Sequence, residues 1–218
     1  LDFLRSQIEL LLNNSIRKDN GQILVPLRYG TNGWDNHQYV RILEAAHLYH
    51  ASMSTDDYEL LVRIRDGDVE RDWNKIEDTG EKNVQTQDGH QNTARFNYYD
   101  GKNPSWPEQI LQSDYRQALA TYEKIRTDTR DPQSITAENA HPDNPVFTKA
   151  LTQVTMGAPQ SVYNGGLLRA TTRYFDEDRE RPGLPPDVAA LVDRLGPEVV
   201  GVKLVNLNPH ETRKVMKL

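Results

Sequence analysis

The spacing of apolar residues predicts a helical front to this chain. Apolar positions recur with the period of an amphipathic helix over 1–12, 37–50, 54–66 and 105–126. The helix starts agree with these ranges. Ser54 has Asp57 three residues on, which resembles a capping box. Ser105 precedes Pro107 and Glu108, a serine cap followed by proline in the first turn.

The tail of the chain has the pattern of short strands. Residues 168–174 alternate between apolar and polar side chains, as a half-buried strand does. Residues 22–29 are also extended in character, because Pro26 would interrupt a helix there. Three further segments complete the tail: a possible helix over 187–195 and two strands joined by a turn at Asn208-Pro209, over 199–207 and 212–216.

These patterns predict an α+β fold in three parts. A mainly α-helical N-terminal region spans 1–127, a linker with a short helix spans 128–160, and a smaller β-rich region spans 161–218. Prolines and few apolar residues mark the linker. The chain starts at Leu1 and stops inside a predicted strand, so we expect it to be a segment of a longer protein.

Composition excludes several classes of function. The formal net charge of -6 argues against nucleic-acid binding, which needs a basic face to displace counterions from phosphates. The chain has no cysteine, so it holds no disulfide, thiolate nucleophile or cysteine-based metal site. No apolar run approaches the ~20 residues that span a bilayer, which predicts no membrane partner. The cellular compartment stays open.

One segment, 29–39, has the composition of a sugar-binding site. Tyr29, Trp34 and Tyr39 would stack on the C–H faces of sugar rings, and Asn32 would bond hydroxyl groups. The glycines between them allow a tight turn just ahead of a predicted helix. We therefore predict an oligo- or polysaccharide as the ligand of this segment.

The same segment contains candidate catalytic residues. Asp35 would act as acid or base, with His37 or Glu44 as its partner. Hydrolysis of a glycosidic bond uses two carboxylates, and Glu44 is the nearest second one. A purely structural alternative stays open, in which Asp35 or Asn36 caps the following helix and Trp34 packs against it.

Two patterns resemble metal sites and each departs from its template. Glu44 and His47 have the i, i+3 spacing of di-metal helices, with His50 one turn later, but no second copy exists. Acids over 66–77 fall at calcium-loop positions, but Arg71 occupies the place that needs glycine. Ordinary polar residues explain both patterns better, so the sequence predicts no metal and no cofactor.

A further polar set could line a cleft facing Trp34. Its geometry is open from sequence, and its members are Asp88, His90, Arg95, Tyr98, Tyr99 and Asp100.

From about Phe96 onward, over a little more than half of its length, the chain resembles the C-terminal part of large bacterial proteins without an established activity. The matching strings include Tyr98-Tyr99-Asp100-Gly101, Thr155-Met156-Gly157-Ala158-Pro159, Tyr163-Asn164-Gly165-Gly166 and Arg181-Pro182-Gly183-Leu184-Pro185-Pro186. The architecture of those proteins resembles carbohydrate-active enzymes in which a helical toroid precedes a β-sandwich. The resemblance implies toroid-like helices at the front and the first sandwich strands in the tail.

The combined expectation is a carbohydrate-processing enzyme or a fragment of one, of the glycoside hydrolase or polysaccharide lyase type. Two alternatives stay open. The chain could be a non-catalytic glycan-binding module that uses the same aromatic residues. It could instead be a structural or interaction domain that self-associates through exposed strands.

Overall fold

The computed structural model describes residues 1–40, 42–76, 87–136, 149–157 and 170–217, and within these ranges all side chains except those of 43, 44, 87–92 and 149. The described residues form two compact units, one up to Asn103 and the other from Pro104 onward. The fold is α+β with helices mostly in the first part and strands mostly in the second, which confirms the predicted class. The region boundaries predicted at 127 and 160, and the toroid, stay predictions.

The described residues contain six α-helices and one 3-10 turn at Pro132–Ser134. Among them, no helix combines the length and the apolar character that crossing a membrane requires. The helices are α1 (Asp2–Asn13), α2 (Ile42–Ser52), α3 (Thr55–Asp66), α4 (Gln87–Tyr99), α5 (Trp106–Arg126) and α6 (Lys149–Met156).

The strands of the described residues pair only in the antiparallel sense, in three small sheets. The first sheet has the order β1-β2-β3, the second β5-β4-β8, and the third holds β6 and β7. The strands are β1 (Ile16–Arg17), β2 (Ile23–Gly30), β3 (Gly33–Tyr39), β4 (Tyr174–Asp176), β5 (Arg181–Pro182), β6 (Val188–Leu195), β7 (Val200–Asn206) and β8 (Val215–Lys217).

The core of the first unit forms where α1 to α4 bury their apolar faces against the inner end of β2. Leu61 and Ile64 of α3 are completely buried, and Ile23 and Val25 of β2 reach the same cluster. Phe96 of α4 lies there too. The spacing predicted from sequence produces this arrangement, because residues at i, i+3 and i+4 share one helix face.

A buried carboxylate joins α1 to the start of α3. Ser54 caps α3 as predicted, its hydroxyl oxygen accepting from the backbone N–H of Asp57. The Asp57 carboxylate accepts from Arg5 Nε at 2.6 Å and from the hydroxyl of Ser52. The hydrogen bond from Arg5 is the main cause that lowers the pKa of Asp57.

The second unit is held together by contacts of α5 and α6. The first half of α5 is buried through Trp106 and Ile110. The Asp114 carboxylate accepts from the backbone N–H of Ala150 at 2.8 Å, which ties α6 to α5. The hydroxyl of Tyr174 then donates to a carbonyl near the end of α6.

Four predicted elements are wrong. Residues 170–173 of the strand predicted over 168–174 do not form a strand, and β4 begins at Tyr174. Residues 37–39 end strand β3, and the helix predicted from 37 begins at Ile42. Residues 188–195 form a strand because β7 pairs with them along their length. The segments 199–207 and 212–216 do not pair with each other, since β7 pairs with β6 and β8 pairs with β4. In the last three cases pairing with another strand supplies the hydrogen bonds, and the periodicity of one segment does not record its partner.

Gly67, which ends α3, leads to a prediction about stability. Its carbonyl accepts from the N–H of Ile23 at 2.7 Å. A Cβ built on Gly67 would lie 2.6 Å from Cδ1 of Ile23 and 2.9 Å from its Cγ2. Because Ile23 is buried and β-branched, Gly67→Ala should lower the free energy of unfolding by about 1–3 kcal/mol in urea titrations. In the control Gly30→Ala, the nearest atom to the new Cβ lies at 3.7 Å. Equal losses in the two variants would contradict the prediction.

Candidate functional site

The segment 29–39 lies on a hairpin, and not in a loop ahead of a helix as the sequence suggested. Gly30 pairs with Gly33, so β2 and β3 are joined by the two-residue turn Thr31-Asn32. Gly33 has a φ of 91°, a conformation that favours glycine. Capping of a helix by Asp35 or Asn36, the structural alternative, is therefore wrong, because both residues lie within β3.

The outer end of the hairpin presents two packed aromatic rings. Tyr29 and Trp34 are paired across the strands, and their ring centroids lie 5.0 Å apart at 73°, an edge-to-face contact. Tyr29 is 71% exposed even with Trp34 against it. We call this pair, with Asn32 in the turn, the aromatic tip.

Tyr39, the third predicted stacking residue, lies on the opposite face of the hairpin. Tyr39 lies opposite Leu24 and Trp34 opposite Tyr29, and these two partners are five residues apart on β2, so Tyr39 and Trp34 point to opposite faces. The Tyr39 ring contacts Lys18 Nζ at 5.2 Å and Arg71 Cζ at 5.5 Å from its centroid. Its hydroxyl donates to Glu70, and this bond is the main cause that lowers the pKa of Glu70 to about 2. The predicted three-ring platform is therefore divided.

Asp35 has a partner that the sequence analysis missed. Arg28 lies directly opposite it in the hairpin register, and its Nε donates to the Asp35 carboxylate at 2.6 Å. This hydrogen bond raises the pKa of Arg28. Both side chains are substantially exposed. Had a two-residue turn been predicted at 31–32, the strand register would have placed Arg28 opposite Asp35, because the turn sets the register.

Of the other two candidate catalytic residues, His37 lies on β3 close to Asp35 in the chain, and Glu44 lies further along it. Asp35 lies opposite Arg28 and His37 opposite Pro26, and these two partners are two residues apart on β2, so the side chains of Asp35 and His37 lie on the same face of the hairpin. Glu44 belongs to α2, and its side chain lies outside the described residues. The structure therefore pairs Asp35 with Arg28 and places His37 on the same face of the hairpin, while the place of the Glu44 carboxylate stays a prediction.

The acids that resemble a calcium loop bind protein donors instead. Asp68 is buried and accepts from Arg71 Nε at 2.6 Å, Trp73 Nε1 at 2.8 Å and Gln22 Nε2 at 3.1 Å. Glu70 accepts from Lys18 as well as from Tyr39. In the part of the chain that is described, no group of three acidic or histidine side chains is placed to hold a metal ion.

The members of the further polar set lie in different surroundings. The side chains of Asp88 and His90 are outside the described residues, and Arg95 is buried at 1% exposure. Burial raises the pKa of Asp100, but hydrogen bonds from Lys102, Tyr58 and Arg65 outweigh it and lower that pKa to about 2. The hydrogen bond to Asp100 also raises the pKa of Tyr58 to about 12. Asp100 is thus part of an ion-pair network that links α3 to α4.

His50 of α2 is the most unusual buried polar side chain of the first unit. It is 2% exposed, and within the described structure neither ring nitrogen has a hydrogen-bond partner. Its ring lies 5.2 Å from that of Tyr49. Burial, with the nearby charges of Arg95 and His47, lowers its pKa well below the ordinary value. Burial and the nearby charges therefore favour the neutral form of the His50 imidazole.

The buried His50 predicts a pH dependence of stability. The pKa of His50 is lower in the folded chain than the ~6.5 of an unfolded chain. Above pH ~6.5 its protonation therefore takes nothing from the free energy of unfolding. As the pH falls from ~6.5 towards 5, the unfolded chain takes up the proton, and the free energy of unfolding should fall by up to about 1.4 kcal/mol per pH unit.

Urea titrations between pH 5 and 8 measure this dependence. His50→Phe should fold, since no ring hydrogen bond is lost, and should reduce the slope below pH ~6.5. The exposed His210→Phe serves as control and should keep the slope. A native slope that survives in His50→Phe would refute the assignment.

Comparisons with known proteins give a family and no activity. A family model described as a domain of unknown function (DUF8034) matches residues 3–152, more than half of the chain, and the chain therefore belongs to that family. Neither the curated proteins nor the solved structures contain a match to this chain.

Proposed function

We propose that this member of the DUF8034 family binds an oligo- or polysaccharide through the aromatic tip of its β2–β3 hairpin. The observation that carries the proposal is the exposure of Tyr29, 71%, while its ring is held edge-to-face by Trp34. An exposed ring in a fixed orientation is what stacking on a sugar requires, because little side-chain freedom is lost on binding.

The surroundings of the tip supply both polarity and rigidity. Asn32 sits in the two-residue turn, where its amide can donate to and accept from sugar hydroxyls. On the opposite face, the Arg28–Asp35 ion pair bridges the two strands one position below the tip. The tip therefore combines an apolar ring face with polar groups on a paired backbone, which is the usual composition of a sugar site.

Replacing Tyr29 tests binding. Tyr29→Ala should weaken glycan binding about tenfold or more, since burial of one large apolar side chain is worth ~1.5–3 kcal/mol. Isothermal titration calorimetry against a panel of soluble polysaccharides measures the effect. Phe3→Ala on α1 is a matched control, because Phe3 is an equally exposed aromatic residue of the same unit, at 79%.

The control defines the outcomes. We expect Phe3→Ala to bind as the native chain does. If the native chain binds no glycan of the panel, or if Tyr29→Ala binds as tightly as the native chain, the aromatic tip is not a glycan site.

A second proposal is carbohydrate processing of the hydrolase or lyase type. The observation that favours it is the common face of Asp35 and His37, which Tyr39 shares, while Tyr29 and Trp34 lie on the other face of the hairpin. In this proposal Asp35 is the acid or base and His37 or Glu44 is its partner. Hydrolysis would require the Glu44 carboxylate, or another one, on the far side of the scissile bond.

Asp35→Asn separates processing from binding alone. A general acid or base contributes ~10²–10⁴-fold to the rate, so this variant should lose at least about a hundredfold in turnover while it still binds the glycan. Reducing-end release and the absorbance of unsaturated products measure hydrolysis and lysis separately. Asp56→Asn, at an exposed position of α3, is the control. Unchanged turnover in Asp35→Asn would remove Asp35 from the mechanism.

A further inference from the structure

The second half of α5 exposes an apolar face. Its first half is buried through Trp106 and Ile110, but four large apolar residues beyond Asp114 are exposed by 44–66%. We call them the α5 stripe: Tyr115, Leu119, Tyr122 and Ile125.

The members of the α5 stripe share one helix face. They follow each other at intervals of four, three and three residues, which places them along one side of a helix. The small Ala118 lies among them and leaves room for a facing ring. A continuous exposed apolar face of this kind marks an interaction surface, whereas scattered apolar residues do not.

We propose that the α5 stripe packs against the α5 stripe of a second copy of this chain, with the two helices antiparallel. The argument for this occupant is the charge along one flank of the stripe. Arg116 and Glu123 are exposed and lie seven residues apart, two helical turns, so they are on the same flank. The flank therefore carries a positive charge near one end and a negative charge near the other.

A two-fold axis between antiparallel helices brings equivalent flanks together in opposite directions. With the axis between Leu119 and Ala120, Arg116 of each copy faces Glu123 of the other, and the pair occurs twice. Both charged groups also have partners within their own chain: Glu123 lies 2.6 Å from Arg126 of its own helix, and Arg116 takes part in another interaction. Exposed ion pairs are weak and rearrange at little cost. Parallel helices would place like charges at the same level.

The same axis interleaves the apolar side chains. Tyr115 of one copy falls between Tyr122 and Ile125 of the other, and Leu119 meets its own equivalent near the centre. Knobs from one helix thus enter gaps on the other, as in a short antiparallel coiled coil.

Strand pairing is the competing route to self-association, and the charge pattern disfavours it. β7 has Leu204 and Val205 exposed, so it could pair with a second β7. Lys203 lies near its middle and in an ion pair with Asp193. An antiparallel pairing centred on Lys203 would set two ammonium groups opposite each other, which is destabilising.

Sedimentation velocity over a wide concentration range tests the helix surface. The native chain should show a monomer–dimer equilibrium, and Leu119→Glu should be monomeric at concentrations where the native chain is dimeric. Leu204→Glu on β7 is the control and should dimerise as the native chain does. A native chain that stays monomeric overturns the proposal, and so does loss of the dimer in Leu204→Glu with retention in Leu119→Glu.

A charge exchange tests the antiparallel arrangement. Arg116→Glu and Glu123→Arg should each raise the dissociation constant about tenfold, since each removes two ion pairs and introduces repulsion. The double variant carrying both changes should return to the native dissociation constant, an outcome that misfolding cannot produce. Single variants that dimerise as the native chain does, or a double variant as weak as the single ones, would exclude this register.

Discussion

The position of the β2–β3 hairpin depends on one buried carboxylate, that of Asp68. Located just after α3, it accepts hydrogen bonds from Gln22 at the entrance to β2, from Arg71 and from Trp73. Arg71 in turn donates to the carbonyl of Val40 at the exit of β3. Both ends of the hairpin are therefore tied to the same carboxylate. A buried charge is stable only when its hydrogen bonds are complete, so these partners must assemble together.

This constraint decides which part of the hairpin is available to a ligand. The inner end of β2 packs into the core through Val25. Tyr39 at the end of β3 contacts Lys18 and Arg71 through its ring and donates a hydrogen bond to Glu70. The outer end lies beyond those contacts, and Leu27, Arg28 and Tyr29 are exposed there. The exposure of Tyr29 follows from this division, and the glycan-binding proposal rests on that outer end.

Elements whose signals are local were predictable. The face of α3 and its Ser54 cap, and the start of α5 at Ser105-Trp106-Pro107, depend on residues within two turns of each other. The sheets were less predictable, because β6 becomes a strand only through β7, and β3 only through β2. The candidate site shows the same limit. Its residues Tyr29, Trp34 and Asp35 stand out in the sequence, whereas the partner Arg28 follows from register alone.

The sequence by itself determined the α+β class, the main helices and the unusual chemistry of residues 29–39, since helical periodicity, caps and composition are properties of neighbouring residues. Only the tertiary structure decided that this segment is a hairpin and that Tyr39 lies on the opposite face from Tyr29 and Trp34. It also decided that Asp68 and Glu70 bind protein donors and that half of α5 stays uncovered. The hairpin depends on pairing between two neighbouring segments, and the other outcomes involve contacts between residues far apart in the chain. The periodicity of side chains within one segment specifies neither kind of contact.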